Sequence, residues 1–367
     1  MQAKRVSIFL PSLAGGGAER AISTVANGLA ARGGVEVSLV LGVANGPYLA
    51  NVSPRVNLIN LGAASVLGAL PRLARHLRQS QPDALLAAMS HANVVAALAH
   101  RLARSRARLV LSERVHLSSV FGEFRGPRMR VTRALMRMTY PWADQVVTVS
   151  LGVAQDLPKH IPIPPERVVA IYNPVVDEHL LAQAVAVPSH PWLVRGEVPV
   201  VLAAGRLIAQ KDFAALLEAF AVLRRQRPLR LVILGEGELR TSLLAQATRL
   251  GVQDDVALPG FDGNLFAAMR AAQVFVLSSR FEGLPGVLIQ AMACGARVVS
   301  TDCPSGPSEV LEDGRWGRLV PVGDPVALAT AIAAALDDPS PPDVRSRAAA
   351  FSVAQAISSY AHVLGLS

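Results

Sequence analysis

A lone carboxylate stands in a run of turn-forming residues, with strongly apolar segments on both sides. Glu282 comes shortly after the apolar run VFVLSS, and the next four residues, GLPG, favour a tight turn. Gln290 lies eight positions further on, inside an apolar segment with helical spacing. A loop carboxylate accepts hydrogen bonds from sugar hydroxyls, and an amide both donates and accepts, as a diol requires. Together they predict a site for a polyhydroxylated ligand, although each residue alone also fits an ordinary surface position.

Two cations follow another apolar run and stand five residues apart. Arg206 ends the segment VVLAAGR, and Lys211 comes in the turn after it. At the end of a parallel strand, two positive charges suit a diphosphate, which they neutralise and hold through charge-assisted hydrogen bonds. The alternative is that both are solvated surface charges.

Glycine-rich turns stand at the ends of two further apolar runs. Gly15, Gly16 and Gly17 separate the first run from a segment with helical spacing, and Gly235 opens a turn in GEGEL. Glycine lets the backbone approach a ligand closely, and a helix N-terminus offers unpaired N–H groups to an anion. The triplet lacks the G-x-G-x-x-G register of a nicotinamide-binding loop, so it indicates an anion site or a flexible turn.

Short apolar runs alternate with amphipathic segments along the whole chain, which predicts a doubly wound α/β fold in both halves. In the first half the predicted strands cover residues 6–13, 35–43, 83–90, 108–114, 143–150 and 167–175. In the second half they cover residues 198–207, 229–237, 255–261, 274–279 and 296–302. The candidate residues therefore lie near the carboxyl ends of predicted parallel strands, where such folds bind ligands.

The length of 367 residues exceeds what one hydrophobic core fills, so two domains are expected. The first predicted domain covers residues 1–176, and the second covers residues 198–351. Residues 177–197 contain two prolines and read as a linker, and residues 352–367 read as a final helix. Two such domains predict a ligand-binding cleft between the carboxyl ends of their sheets.

Composition narrows the class of protein. Hydrophobic residues make up 51% of the chain, which excludes intrinsic disorder. Cys294 and Cys303 are too few for a disulfide framework, and no histidine near them completes a metal site. No apolar run reaches the roughly 18 residues of a membrane span, and residues 6–13 read as a buried strand rather than a signal peptide. A cytoplasmic protein is expected.

The net charge of +9 is concentrated in one part of the chain. Thirteen arginines lie between Arg72 and Arg137, opposed by three acidic residues. Such a basic face predicts attraction to an anionic membrane surface, with a soluble face that has no partner as the alternative. Nucleic acid is not expected as a partner, because no aromatic residues alternate with the arginines to stack on bases.

A family resemblance joins these motifs. The segment SRFEGLPGVLIQAMACGARVVSTDCPSGPSEVL, with GRLIAQKDF before it and GGGAE near the start, resembles the retaining glycosyltransferases of family 4. The likeness is greatest to the bacterial subgroup that builds lipopolysaccharide core, O-antigen, capsule and lipid-linked oligosaccharides. It covers essentially the whole chain and is most specific from Val201 to Leu319. It implies a GT-B fold, in which two Rossmann-like domains face a cleft and the C-terminal helix crosses back to the first.

The resemblance assigns roles to the candidate residues. It implies that Glu282 contacts the donor sugar, and that Arg206 and Lys211 hold and stabilise the diphosphate. The remaining donor-binding residues that it implies are Gly16, Gly17, Gly235, Gly283, Leu284, Gln290 and Glu309. Two positions depart from the family pattern: Gln290 stands where the family has a second glutamate, and Ser305 stands where it has the first glycine of Gly-Gly-x-x-Glu.

The first domain offers two histidines for a place beside the reacting sugar. His116 follows one predicted strand in the sequence ERVH, and His91 follows another directly after Ser90. Family members often carry such a histidine, and we expect His116 to act on the sugar and His91 to contact the acceptor. Arg114 is expected to bind an acceptor phosphate.

The resemblance implies a retaining, metal-independent transfer of a hexosyl or N-acetylhexosaminyl group from a nucleotide-diphosphate sugar. Uridine diphosphate is the expected nucleotide, and neither metal nor cofactor is expected. The acceptor is expected to be a lipid-linked glycan at the cytoplasmic face of the inner membrane. The alternatives are a nucleotide-sugar epimerase of the same fold and a non-catalytic nucleotide-sugar-binding protein. Transfer to an acceptor separates the enzyme from both.

Overall fold

Parallel sheets covered by helices on both faces form each of two units in this computed structural model, which describes residues 3–124 and 126–366. Unit 1 contains the residues up to Pro174 together with those from Val353 onward, and unit 2 contains Val175–Ser352. Arg125, one of the arginines of the basic face, lies outside the described residues.

Within the described residues, unit 1 has a seven-stranded parallel sheet in the order β3-β2-β1-β4-β5-β6-β7. Its strands are β1 (Lys4–Leu10), β2 (Val35–Leu41), β3 (Val56–Asn60), β4 (Ala84–Ala88), β5 (Arg108–Glu113), β6 (Gln145–Thr148) and β7 (Val168–Ala170). Its helices are α1 (Gly17–Ala31), α2 (Leu70–Ser80), α3 (Ser90–Ala103), α4 (Leu117–Glu123), α5 (Pro127–Thr139) and α6 (Leu151–His160).

The strand order of unit 1 reverses between β1 and β4. These two strands pair directly, with Val6 opposite Ala84 and Phe9 opposite Ala87. The residues of β4 are buried throughout, because helices cover both faces of the sheet. In a doubly wound sheet the crevice beyond such a reversal is where ligands bind, so the carboxyl ends of β1 and β4 form the first place to look for a site.

Unit 2 repeats the plan with a six-stranded parallel sheet, in the order β10-β9-β8-β11-β12-β13 among its described residues. Its strands are β8 (Val200–Ala204), β9 (Arg230–Leu234), β10 (Val256–Gly260), β11 (Val274–Leu277), β12 (Arg297–Thr301) and β13 (Arg318–Val320). Its helices are α7 (Glu178–Ala184), α8 (Pro191–Arg195), α9 (Phe213–Arg224), α10 (Arg240–Arg249), α11 (Leu265–Ala271), α12 (Gly286–Ala293), α13 (Pro307–Leu311), α14 (Pro325–Leu336) and α15 (Val344–Ala348). Here the reversal lies between β8 and β11.

The last helix, α16 (Val353–Val363), returns to unit 1, as the family resemblance implies. It packs against α1 at Gly28, where a Cβ atom would lie 1.9 Å from the Cδ1 atom of Ile357. The guanidinium of Arg108 donates to the backbone oxygen of Val363 at 2.7 Å. A glycine on α1 therefore makes room for a helix from the far end of the chain.

The structure differs from the sequence-based expectations at residues 177–197, at strand β3 and at the edge strand β13, a three-residue strand that the sequence analysis did not predict. Residues 177–197, predicted as a linker, carry α7 and α8 and belong to unit 2, because Gln183 and Ser189 hydrogen-bond to the segment Asp262–Asn264. Strand β3 was missed, because its sequence VNLIN is a mostly exposed edge strand without an apolar run. Among the described residues, no helix is both long and apolar enough to cross a membrane.

Candidate functional site

The chain brings an acid and a base into contact at the β8/β11 reversal of unit 2. The Nζ atom of Lys211 donates to Oε1 of Glu282 at 2.5 Å, and both side chains are largely buried, with exposures of 15% and 9%. Lys211 follows β8 and Glu282 follows β11, and these strands are neighbours in the sheet. Two of the predicted site residues, 71 positions apart, thus form one ion pair.

Hydrogen bonds between the two loops fix the geometry of this pair. The hydroxyl of Ser279 donates to Glu282 Oε1 at 2.6 Å, and the hydroxyl of Ser278 donates to the backbone oxygen of Lys211 at 2.7 Å. The amide of Gln210 donates to the backbone oxygen of Phe281 at 2.8 Å. Each loop therefore holds the other, and Glu282 accepts two directed bonds instead of reaching into water.

Cys303 lies beside the same carboxylate. Burial raises the pKa of its thiol to about 12, and the negative charge of Glu282 acts in the same direction. The thiol is therefore neutral at physiological pH and behaves as a small apolar side chain under the loop.

Arg206 lies at the end of β8 with its side chain exposed, so its charge is available to a ligand above the sheet. Gly235, predicted as a donor-binding residue, supports the loop that Arg206 enters. A Cβ atom on Gly235 would lie 2.0 Å from the backbone oxygen of Gly205, and its φ of 136° favours glycine. Because Gly235 has no side chain, the loops after β8 and β9 can pack against each other.

The predicted donor-binding residues that follow β11 and β12 also lie close together in unit 2. Gly283 accepts a hydrogen bond from the hydroxyl of Ser305 at 2.9 Å, and Leu284 is buried. Glu309 lies in the first turn of α13, partly exposed. Ser305 has a φ of 66°, in the left-handed region that favours glycine, which gives a physical reason for the glycine that the family carries there.

Gln290 lies on α12 with only 9% of its surface exposed. Among the described residues, no hydrogen-bond partner of its side-chain amide is found. A buried amide of this kind remains available to a ligand that offers hydroxyl groups.

A second set of predicted residues lies at the β1/β4 reversal of unit 1. Gly16 caps α1 in the loop after β1, and a Cβ atom there would lie 2.3 Å from a carboxylate oxygen of Glu19, so a side chain at this position would displace the end of Glu19. Gly17 is the first residue of α1 and is exposed. His91 is exposed at the start of α3, directly beyond β4. Partial burial lowers the pKa of His91, and the negative charge of Glu19 opposes this lowering.

The turn from β4 into α3 carries backbone strain. Met89 has φ 84° and ψ 133°, a conformation that few residues other than glycine adopt. Such conformations cost roughly 1–3 kcal/mol and persist where the surroundings fix them, often at functional sites. The strained residue stands two positions before His91.

Glu113 is fully buried at the end of the neighbouring strand β5. Its carboxylate accepts hydrogen bonds from Ser90 Oγ at 3.0 Å, from the hydroxyl of Tyr140 at 2.6 Å and from the backbone N–H of Arg114 at 2.9 Å. Burial raises the pKa of Glu113, and these hydrogen bonds oppose the rise. Burial and the charge of Glu113 together raise the pKa of Tyr140 well above its usual value.

Arg114 is buried, and its guanidinium donates to Asn173 Oδ1 at 2.6 Å and to the hydroxyl of Tyr360 on α16 at 3.5 Å. The guanidinium is therefore already hydrogen-bonded inside unit 1, and its contact with an acceptor phosphate stays a prediction. Burial lowers its pKa, and the charges of Tyr360, Glu113 and Glu19 counteract this.

His116, the preferred histidine of the sequence analysis, caps α4. Its Nδ1 atom accepts from the backbone N–H of Ser119 at 3.3 Å and lies 2.8 Å from the hydroxyl of Ser119. Its Nε2 atom lies 3.5 Å from Oδ1 of buried Asp156 on α6. Burial lowers the pKa of His116, the Asp156 charge opposes this, and Lys159 adds to it. Both ring nitrogens thus face groups of α4 and α6.

Comparison with known proteins shows which family this chain belongs to. Residues 15–179 match the model described as Glycosyltransferase Family 4, and residues 198–338 match the model described as Glycosyl transferases group 1. A Campylobacter jejuni protein, N-acetylgalactosamine-N,N'-diacetylbacillosaminyl-diphospho-undecaprenol 4-alpha-N-acetylgalactosaminyltransferase, is 30% identical over 345 residues, or 91% of each chain. The chain belongs to glycosyltransferase family 4.

Other similar proteins agree with this assignment. The amylovoran biosynthesis glycosyltransferase AmsD of Erwinia amylovora is 25% identical over 299 residues, covering 81% of this chain and 80% of that one. The crystal structure of Anabaena HepE in complex with UDP and glucose has a TM-score of 0.79 at 23% identity and covers 99% of both chains. This family 4 glycosyltransferase has the GT-B fold that the sequence predicts.

In this family 4 glycosyltransferase, the predicted site residues lie in two groups, one in each unit. The structure brings together Lys211, Glu282 and the loops around Arg206 in unit 2. In unit 1 it places His91, and not His116, at the strand reversal. Sequence reasoning missed Ser279, which donates to Glu282, and Glu113, which accepts from Ser90 beside His91. A serine or acid at the end of a buried strand was the available signal.

Proposed function

We propose that this glycosyltransferase transfers a hexose or N-acetylhexosamine from a UDP-sugar to a lipid-linked glycan, with retention of anomeric configuration. The observation that carries the proposal is the Lys211–Glu282 ion pair at the β8/β11 reversal, with exposed Arg206 five residues before Lys211 in the loop after β8. One carboxylate, two cations and a strand reversal match the demands of a nucleotide-diphosphate sugar.

The donor nucleotide is proposed to be uridine diphosphate. Support comes from the Anabaena protein, whose structure is described in complex with UDP and glucose and shares this fold. In unit 2, the amide of Gln290 is positioned to bond a ribose diol in place of the carboxylate that the family carries.

The chemical step needs stabilisation of the leaving diphosphate. As the bond between the anomeric carbon and the diphosphate oxygen breaks, the acceptor hydroxyl oxygen bonds to the same face of the sugar. The acceptor proton passes to the leaving diphosphate oxygen, so no separate general base is needed. Arg206 and Lys211 offset the negative charge that develops, which is the role that a divalent metal fills elsewhere. The proposed transfer is therefore metal-independent.

Glu282 has two roles in this proposal. In the ligand-free protein its carboxylate neutralises Lys211 and accepts from Ser279. When the donor enters, the diphosphate competes for Lys211, and the freed carboxylate accepts hydrogen bonds from the sugar hydroxyls. Lys211 thus exchanges one anion for another, and the carboxylate of Glu282 exchanges its cation for hydroxyl donors.

The acceptor is proposed to bind at unit 1, near His91. The name of the Campylobacter relative specifies a diphospho-undecaprenol acceptor, and that protein matches 91% of this chain. His91 is exposed at the β1/β4 reversal, where its imidazole is accessible to an acceptor hydroxyl or phosphate.

A lipid-linked acceptor implies contact with a membrane, and α4 and α5 offer a surface for it. Helix α5 has no acidic residue and exposes Arg128, Arg130 and Arg133. Exposed apolar side chains, Phe124 and Val131, stand among these cations. A cavity of about 480 Å³ between the two helices is lined by Phe121, Phe124, Gly126, Met129, Arg130 and Arg133. Apolar groups surrounded by arginines suit an anionic lipid interface.

Not all thirteen arginines between Arg72 and Arg137 serve this surface. Arg78, Arg108 and Arg137 donate to the backbone oxygens of Leu102, Val363 and His160. The proposed membrane surface consists of the exposed residues of α4 and α5 other than Arg137, and the protein is proposed to be peripheral at the cytoplasmic face of the inner membrane.

Thermal melting with nucleotides tests the donor site. UDP and its sugars are expected to raise the melting temperature, with or without EDTA, since a ligand at 100 times its Kd stabilises by about 2.7 kcal/mol. GDP and ADP at equal concentration serve as controls. The absence of any shift, or a shift that EDTA removes, contradicts the proposal.

Vesicle sedimentation tests the membrane surface. Binding to vesicles that contain anionic lipid is expected at low salt and is expected to decrease at high salt. Arg130→Ala with Arg133→Ala should weaken it, whereas Arg32→Ala with Arg55→Ala, exposed elsewhere in unit 1, should not. Equal binding to neutral vesicles argues against an electrostatic surface.

A further inference from the structure

The start of α3 is attached to the end of β5 by a set of hydrogen bonds that surround one buried acid. Ser90, the first residue of α3, donates from its hydroxyl to both carboxylate oxygens of Glu113, at 3.0 and 3.1 Å. The backbone N–H of Met89 donates to the backbone oxygen of Ser112 at 3.2 Å. Thus two successive residues before His91 are bonded to two successive residues at the end of β5.

Asn93, the fourth residue of α3, adds further hydrogen bonds to this attachment. Its side-chain amide donates to the backbone oxygen of Ser112 at 2.9 Å and to the hydroxyl of Tyr140 at 3.0 Å, and that hydroxyl in turn donates to Glu113. Both Asn93 and Tyr140 are fully buried. The first turn of α3 is therefore fixed both by β5 and by Tyr140, which directly follows α5.

These bonds hold a backbone that would otherwise relax. Met89 keeps φ 84° and ψ 133°, which a non-glycine residue adopts only when its surroundings impose it. The attachments at Met89, Ser90 and Asn93 supply that constraint. His91 stands between them, and its side chain is exposed where theirs are half-buried or buried.

We infer that Glu113 is a positioning residue, which acts through Ser90 and the strained turn at Met89 to hold His91 at the β1/β4 reversal. A carboxylate suits this role better than an amide, because it accepts from Ser90, Tyr140 and the backbone N–H of Arg114 at once and has no donor to misplace. The inference rests on the proposed function for the use of His91, but the positioning itself is a property of unit 1.

Glu113→Gln and Ser90→Ala test the positioning in the full-length protein. Histidine labelled with ¹³C at Cε1 gives each imidazole an NMR signal, and His91→Asn identifies that of His91. Burial lowers the pKa of His91 in the native protein. Both variants are expected to change its chemical shift and to raise the pKa of His91 towards the ordinary value of 6.5, because a displaced imidazole loses the partial burial that lowers it. Because the two residues act on His91 in series, the double variant should show no more than the larger single effect.

Two controls separate positioning from general loss of structure. Asp156→Asn removes another buried carboxylate of unit 1, on α6, and Glu123→Gln makes the same change as Glu113→Gln at an exposed position. Neither is expected to change the His91 signal. If Glu113→Gln does not fold, Ser90→Ala alone carries the test, because it removes only one half-buried hydroxyl.

A His91 titration that is unchanged in folded Ser90→Ala overturns the inference, as does an equal change in Asp156→Asn. Once transfer to a diphospho-undecaprenol-linked sugar is measured, Ser90→Ala should lower kcat/KM for that acceptor by roughly 10-fold or more with UDP binding unchanged, because misplaced groups cost this much. Failure of the nucleotide melting experiment refutes the proposed function and leaves the NMR result standing.

Discussion

The two strand reversals of this protein hold their charged groups in opposite ways. In unit 2, Glu282 is paired with a cation, Lys211, at 2.5 Å. In unit 1, Glu113 is buried among neutral donors, the hydroxyls of Ser90 and Tyr140. Both sites use a carboxylate at the carboxyl end of a parallel strand, but only the first keeps it beside a group that a substrate anion can displace.

This difference indicates different roles for the two carboxylates: one can exchange its partner for a substrate, and the other can only support its neighbours. An ion pair at a strand reversal can give up its cation to a diphosphate, so its members suit direct contact with substrate. A carboxylate whose partners are backbone N–H groups and hydroxyls has nothing to give up without leaving buried groups unpaired. Glu282 therefore suits catalysis, and Glu113 suits the positioning of a neighbour.

The largest expected effect tests the unit 2 side of the comparison. Glu282→Ala should lower transfer by about 10³-fold or more, because the donor sugar loses the carboxylate that accepts its hydrogen bonds and Lys211 loses its partner. Glu238→Ala, an exposed acid in the β9 loop of the same unit, is the matched control and should retain activity. Circular dichroism and initial rates measure the two variants, and a folded Glu282→Ala protein with normal turnover would contradict the assignment.

An intermediate effect compares the two histidines of unit 1. His91→Ala should lower kcat/KM by about 10–100-fold, the equivalent of one hydrogen bond to a charged group. His116→Ala should cost about 1 kcal/mol of stability through loss of the α4 cap and leave kcat/KM close to the wild-type value. Steady-state rates and urea unfolding separate the two outcomes. The reverse result would restore His116 as the acting histidine.

A smaller effect asks whether the unit 1 site depends on α16. Gly28→Ala should destabilise the protein by about 1–3 kcal/mol, because the new Cβ atom meets Ile357. Gly33→Ala, where no atom lies within 4 Å of the new Cβ, should be neutral or slightly stabilising. Thermal melting measures both. UDP binding at unit 2 should be the same in each, and a loss of UDP binding in Gly28→Ala alone would break the separation of the two sites.

The smallest effect concerns pH. The pKa of His116 is lowered by burial from 6.5, so below about pH 6.5 the unfolded chain takes up its proton before the folded protein does. Stability should therefore fall as the pH decreases from 6.5 towards the folded pKa, by about 1.4 kcal/mol per unit of lowering. His116→Asn should show a weaker loss between pH 7 and pH 5 in melting experiments. An identical pH dependence in both proteins would show that His116 does not contribute.

The sequence predicted the unit 2 site better than the unit 1 site, for a physical reason. Arg206 and Lys211 stand five residues apart, and Glu282 stands in a turn whose glycines mark it, so local pattern sufficed to place them. Their meeting follows from the pairing of adjacent parallel strands. The ion pair between Lys211 and Glu282 itself was not predicted, because it depends on how the two loops fold against each other.

In unit 1 the decisive contacts span distant segments. Ser90, Glu113 and Tyr140 belong to α3, β5 and the turn after α5, and nothing in their local sequences indicates that they meet. His116 was preferred over His91 in the sequence analysis, and the structure shows that it caps α4, while its action on the sugar stays a prediction. Buried hydrogen-bond networks depend on tertiary packing, which residue spacing along the chain does not encode.

The return of α16 to unit 1 has a consequence for synthesis on the ribosome. The first strands of unit 1 are made early, but α16 is made last. Ile357 can pack against Gly28, and Tyr360 can bond to Arg114, only after α16 has been translated. All of unit 2 is translated in between, which at about 5–20 residues per second takes on the order of ten seconds or more. During that interval the groove on α1 that receives Ile357 stays uncovered, so the growing chain exposes an apolar surface that a chaperone can protect.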